Sequence, residues 1–142
     1  MFVYDFTPVA QTFDLARQVL ASDAATLLDE ATRAAYQEER GGEGVHVNVG
    51  PMRSRDETLV VGLAWSEPHG SAAELEGEVE LAPLGPGISH LSLSANYEFG
   101  RGGLGRRVDL LQSRRATEAL VRAFLLRVAQ AIEHTDARGR CR

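Results

Sequence analysis

The chain contains no lysine: all 15 basic residues are arginine, set against 20 acidic ones, for a formal net charge of −5. A Schiff-base or nucleophilic lysine is therefore excluded, as is the lysine of a G-x-x-x-x-G-K-[ST] phosphate loop. The acidic balance also disfavours a general nucleic-acid binder, which needs a basic surface to neutralise phosphates. The single cysteine, Cys141, excludes an intrachain disulfide framework, a zinc knuckle and a C-x-x-C pair. No run of 18 apolar residues occurs, so no membrane-spanning helix is expected. The opening MFVYDFTPVA has no basic n-region and carries Asp5, so it does not read as a secretory signal, and a cytoplasmic protein is expected. What remains is an ordinary globular composition, 44% hydrophobic and 25% charged over 142 residues, which predicts one domain.

The order of elements is α+β. FVYDF, with Phe2, Tyr4 and Phe6 alternating with Val3 and Asp5, predicts a short strand ended by Pro8. Two helices follow. The first carries Phe13, Ala16, Val19 and Leu20 at helical spacing. The second is capped by Ser22 or Asp23 and carries Leu27, Leu28, Ala31, Ala34 and Ala35. Four strand patterns come next, each of period two. Val45, Val47 and Val49 share one face of VHVNV, as Leu59, Val61, Leu63 and Trp65 do in TLVVGLAW. ELEGEVEL turns Leu75, Gly77, Val79 and Leu81 inward and four glutamates outward; ISHLSLSANYEF does the same with Leu91, Leu93, Ala95 and Tyr97. Such one-faced alternation predicts an antiparallel meander. From Leu104 to about His134 the pattern becomes helical, through Val108, Leu111, Leu120, Val121, Phe124, Leu125, Val128 and Ile132. The expected organisation is one domain over 1–136 with a polar tail over 137–142.

The stretch GRGGLGRR, Gly100 to Arg107, fits G-x-G-x-x-G between a strand and a helix. A dinucleotide site would also require a following parallel strand, which is absent, and an acidic residue about 20 positions on, where the candidates Glu118 and Glu133 fall inside the helix instead. The glycines are read instead as a sharp turn from the last strand into the long helix.

This order of elements resembles the helix-grip fold of the START-like superfamily, also called SRPBCC or Bet v 1-like. Within it, the chain is similar to small actinobacterial SRPBCC-type proteins of unknown function. VELAPLGPGISHLSLSANYEFG, Val79 to Gly100, and RRATEALVRAFLLRVA, Arg114 to Ala129, carry the resemblance. Five strands are counted here, where larger members have seven. The resemblance implies a curved sheet wrapping the long helix, with a cavity between them for a hydrophobic or amphipathic small molecule such as a lipid, polyketide or quinone. On that basis the cavity candidates are Leu59, Val61, Leu63, Trp65, Val79, Leu91, Leu93, Tyr97, Leu111, Arg115, Leu120 and Phe124. Trp65 and Tyr97 combine a flat apolar body with a polar tip. Arg115 either holds a ligand carboxylate or pairs with Asp29 or Glu30. Two alternatives accompany the binder. One is a cyclase or dehydratase using Tyr97 or another polar cavity group for proton transfer. The other is an interaction module or homodimer with a filled core.

No motif spacing in the sequence marks a catalytic or metal set. The four histidines, His46, His69, His90 and His134, show no H-x-H or H-E-x-x-H spacing. His46 and His90 alternate with inward apolar residues and are expected outside, three strands apart. Glu74, Glu76, Glu78 and Glu80 read as a solvated strand face. Neither a catalytic residue, a cofactor nor a metal is assigned.

Overall fold

The computed structural model describes residues 1–40, 44–67, 74–98 and 107–135. The elements run β1 (Phe2–Val9), α1 (Phe13–Arg40), β2 (His46–Arg55), β3 (Thr58–Ser66), β4 (Glu74–Gly85), β5 (Ile88–Glu98) and α2 (Arg107–Glu133). The strands form one antiparallel sheet in the order β1-β5-β4-β3-β2. Strands β2 to β5 are a meander, and β1 closes the far side by pairing with β5. This is the expected α+β helix-grip layout with five strands. The glycine turn at 100–107 and the tail over 137–142 lie outside the described residues, except that α2 starts at Arg107.

The two expected N-terminal helices are continuous in chain but broken at Asp23, whose φ of −148° and ψ of 35° leave the helical region. The Ser22 hydroxyl donates to the Val19 carbonyl at 3.1 Å, closing the first arm. The capping chemistry read at Ser22 and Asp23 thus marks a kink between two helical arms.

Pro8 does not end β1, which continues to Val9. The pair Met1–Tyr97 exchanges both backbone bonds, at 2.7 and 2.9 Å, so odd-numbered residues of β1 point their backbone groups at β5. Even-numbered residues, Pro8 among them, point theirs at the free edge. The missing N–H of proline therefore costs the sheet no hydrogen bond.

The inner face of the sheet packs on both helices. Leu59, Val61, Leu63, Trp65, Leu75, Val79, Leu81, Leu91, Leu93, Ala95 and Tyr97 are all buried there. From the helices, Leu20, Leu28, Ala35, Leu120, Phe124, Val128 and Ile132 meet them in one core. Burying a side chain of leucine or phenylalanine size contributes about 1.5–3 kcal/mol each, so this face is the main source of stability.

Candidate functional site: the inner sheet face beneath the helices

Strand register arranges the inner residues in rungs. Val47, Trp65, Leu75 and Tyr97 form the rung at one end, and Val49, Leu63, Gly77 and Ala95 the next. Val61, Val79 and Leu93 follow, then Leu59, Leu81 and Leu91. The second rung is the thinnest. At Gly77 an added Cβ would lie 2.1 Å from the Ser94 carbonyl oxygen and 2.6 Å from the Ala95 Cα. Here β4 and β5 approach too closely for any side chain, which makes Gly77 a requirement of the pairing.

Ten of the twelve cavity candidates share this buried interior. They are Leu59, Val61, Leu63, Trp65, Val79, Leu91, Leu93 and Tyr97 from the sheet, and Leu120 and Phe124 from α2. Leu111 belongs to α2, but its side chain lies outside the described residues. Arg115 corrects the sequence reading: it is exposed and does not contribute to the inner wall. Nor does it pair with Asp29, whose carboxylate takes the Arg33 guanidinium at 3.0 Å on the next turn of α1. The i,i+3 and i,i+4 stripe through Leu120, Val121 and Phe124 passes through Thr117, which is buried, so Arg115 falls on the solvent side.

Trp65, in the end rung, ties the sheet to both helices. Its ring meets Phe124 of α2 edge-on, with centroids 5.0 Å apart and planes at 79°. Tyr36 of α1 also meets it edge-on, at 5.8 Å and 80°. Both are the edge-to-face geometry that aromatic quadrupoles favour. The indole Nε1 of Trp65 is buried and has no hydrogen-bond partner among the described residues.

Sequence reasoning missed Tyr36. The stripe was read through Ala34 and Ala35, but the buried line runs through Leu28, Ala31, Thr32, Ala35 and Tyr36. The signal was a polar threonine within that line. Thr32 hides its hydroxyl by donating to the Leu28 carbonyl at 2.7 Å, so it fits an apolar stripe.

The outer face is chemically distinct. His46 is exposed, and His90 stacks on Phe6 at 5.1 Å, so both histidines face outward as expected. Glu78 pairs with Arg53, and Arg55 lies 3.9 Å from Glu78 and 3.6 Å from Glu80. A groove of about 630 Å³ opens at the far end from Trp65, between the start of α1 and the two hairpin turns. Its lining includes Phe13, Asp14, Arg17, Asp56 and Glu57 and none of the cavity candidates. No helix of the described residues is long and apolar enough to cross a membrane.

Fold and inner wall together define a helix-grip chain with an apolar interior. It is similar in structure to a conserved protein from Geobacillus kaustophilus, with a TM-score of 0.54 and 11% identity over 92% of this chain and 97% of that one. That likeness shows a shared fold. An aromatase/cyclase from Streptomyces sp. R1128 gives a TM-score of 0.46 and 19% identity over 98% of both chains. A START superfamily protein from Mycobacterium smegmatis gives 0.38 and 17%, over 91% of this chain and 97% of that one. No family model matches the chain, and no curated protein does.

Proposed function

We propose that the chain binds an apolar small molecule carrying a hydrogen-bond acceptor, held between the inner sheet face and α2. The observation that carries this reading is the indole Nε1 of Trp65. An unpaired buried donor costs about 1–3 kcal/mol, and a ketone or quinone oxygen placed against it would offset that cost. The surrounding wall is apolar, which suits a ring or chain with a single polar point. The cyclase or dehydratase alternative is less well supported. Among the described residues no Asp, Glu, His or Arg is buried, which leaves Tyr36 and Tyr97 as the buried titratable side chains.

Because Trp65 is the one tryptophan in the chain, its fluorescence reports on this site alone. Titration with 1-tetralone and with tetralin compares one ring system with and without a carbonyl. The ketone is expected to bind roughly 2- to 12-fold more tightly, the worth of one hydrogen bond. Trp65→Phe, followed by native mass spectrometry, should remove that preference. Equal binding of the two probes to the unaltered protein, or binding of neither, overturns the proposal.

A second reading, self-association, is favoured by a different observation. Phe2, Tyr4 and Phe6 are 62%, 52% and 50% exposed on the outer face of an edge strand.

A further inference from the structure

We propose that two copies of the chain join through the free edges of β1, in a register centred on Val3. The inference rests on the self-association reading above and specifies its interface. The two sheets become one continuous sheet across a twofold axis.

Even-numbered residues of β1 face away from β5. At Phe6 both groups are already taken. Its carbonyl accepts from Arg122 at 2.7 Å, and its N–H donates to its neighbour Asp5 at 2.8 Å. Pro8 has no N–H, and its carbonyl accepts from Thr7 at 3.2 Å. Among the described residues, nothing bonds the outward N–H and C=O of Phe2 and Tyr4. The open edge is therefore two residues long, spaced i and i+2. That spacing is self-complementary. In an antiparallel pair centred on Val3, Phe2 of each copy faces Tyr4 of the other, and each such pair exchanges two hydrogen bonds. Centring on Tyr4 would instead place Phe2 against Phe6, whose groups Arg122 and Asp5 occupy. The Arg122–Asp5 clamp thus selects the register.

The side chains agree with this choice. Phe2 and Tyr4 would stand directly opposite each other on the outer face, an aromatic cross-strand pair that shields both. On the inner side a groove of about 250 Å³ runs between Phe2, Val3, Tyr4 and Asp5 of the strand and Arg114 and Glu118 of α2. Arg114 and Glu118 are an ion pair at 3.2 Å. A twofold normal to the sheet sets the second α2 antiparallel beside the first, with Arg114 of each copy toward Glu118 of the other. The patch carries both charge signs and complements its own copy, as an isologous contact requires. At the opposite edge β2 offers no such surface. A register shift between Val49 and Met52 interrupts it, and Pro51, Arg53 and Arg55 line it.

Sedimentation equilibrium over a hundredfold range of concentration tests this, together with amide exchange at Phe2 and Tyr4. A concentration-dependent dimer is expected, with both amides protected only where it forms. Tyr4→Pro removes a donor that faces the free edge and leaves every β1–β5 bond intact, so it should weaken the dimer by about tenfold or more. Phe2→Lys keeps the backbone unaltered and places like charges near one another across the axis; it should weaken the dimer as well. A dimer unaffected by both variants overturns the β1 interface while leaving self-association standing. A monomer at every concentration, with freely exchanging Phe2 and Tyr4 amides, overturns both.

Discussion

Two groups of aromatic side chains divide the molecule between them. Tyr36, Trp65 and Phe124 meet edge-to-face in the interior, drawn from α1, β3 and α2. Phe2, Tyr4 and Phe6 lie along one strand, half or more exposed, with Tyr4 and Phe6 at 6.2 Å and His90 closing the row. The inner trio joins three elements that are distant in sequence and holds the helices to the sheet. The outer row lies on one strand, and its shape is set by local alternation alone. Aromatic residues in this chain therefore do two jobs: the inner ones confer stability, and the outer ones form a surface.

Substitutions can break that comparison in order of size. Phe124→Ala should have the largest effect, a loss of about 3–5 kcal/mol by urea denaturation, since it opens a cavity against Trp65. Gly77→Ala should follow at about 1–3 kcal/mol, because the added methyl has no space between β4 and β5. An equally stable Gly77→Ala protein would mean that the strands can separate there. Tyr4→Ser should change stability by less than about 0.5 kcal/mol while weakening self-association. A large loss of monomer stability would place the outer row with the inner trio. Smallest should be Glu78→Gln. Its exposed pairs with Arg53 and Arg55 are worth at most about 1 kcal/mol, and the difference from wild type should fade as salt is added.

Much of the fold was legible because period two and period 3.6 are written plainly in β3, β4, β5 and α2. Inward residues such as Val61, Val79, Leu93 and Phe124 followed directly from that alternation. Three things were not legible, each for a physical reason. Pro8 reads as a strand terminator until it is known which backbone groups face an edge. Tyr36 lies on the same buried line as Thr32, which fits there because its hydroxyl donates to the Leu28 carbonyl, a bond that hydropathy does not reveal. Arg115 is among the cavity candidates by sequence, but a shift of one or two residues in helical phase carries a side chain from core to solvent. Nor does alternation say which aromatic face is buried. FVYDF and TLVVGLAW alternate alike, yet Trp65 is buried and the β1 row is exposed, because β1 turns Val3 and Val9 toward the helices instead.

The pairing of β1 with β5 has a consequence in time. Phe2–Val9 must wait for Ile88–Glu98 before the strand it pairs with in the described sheet exists. At ribosomal speeds that interval is roughly 5–20 s, long compared with local helix or hairpin formation. Throughout it an aromatic, strand-prone segment stands unpaired on the nascent chain. Asp5 and Pro8 set a charge and a missing donor within that segment, the kind of residues that discourage such a stretch from pairing with other chains.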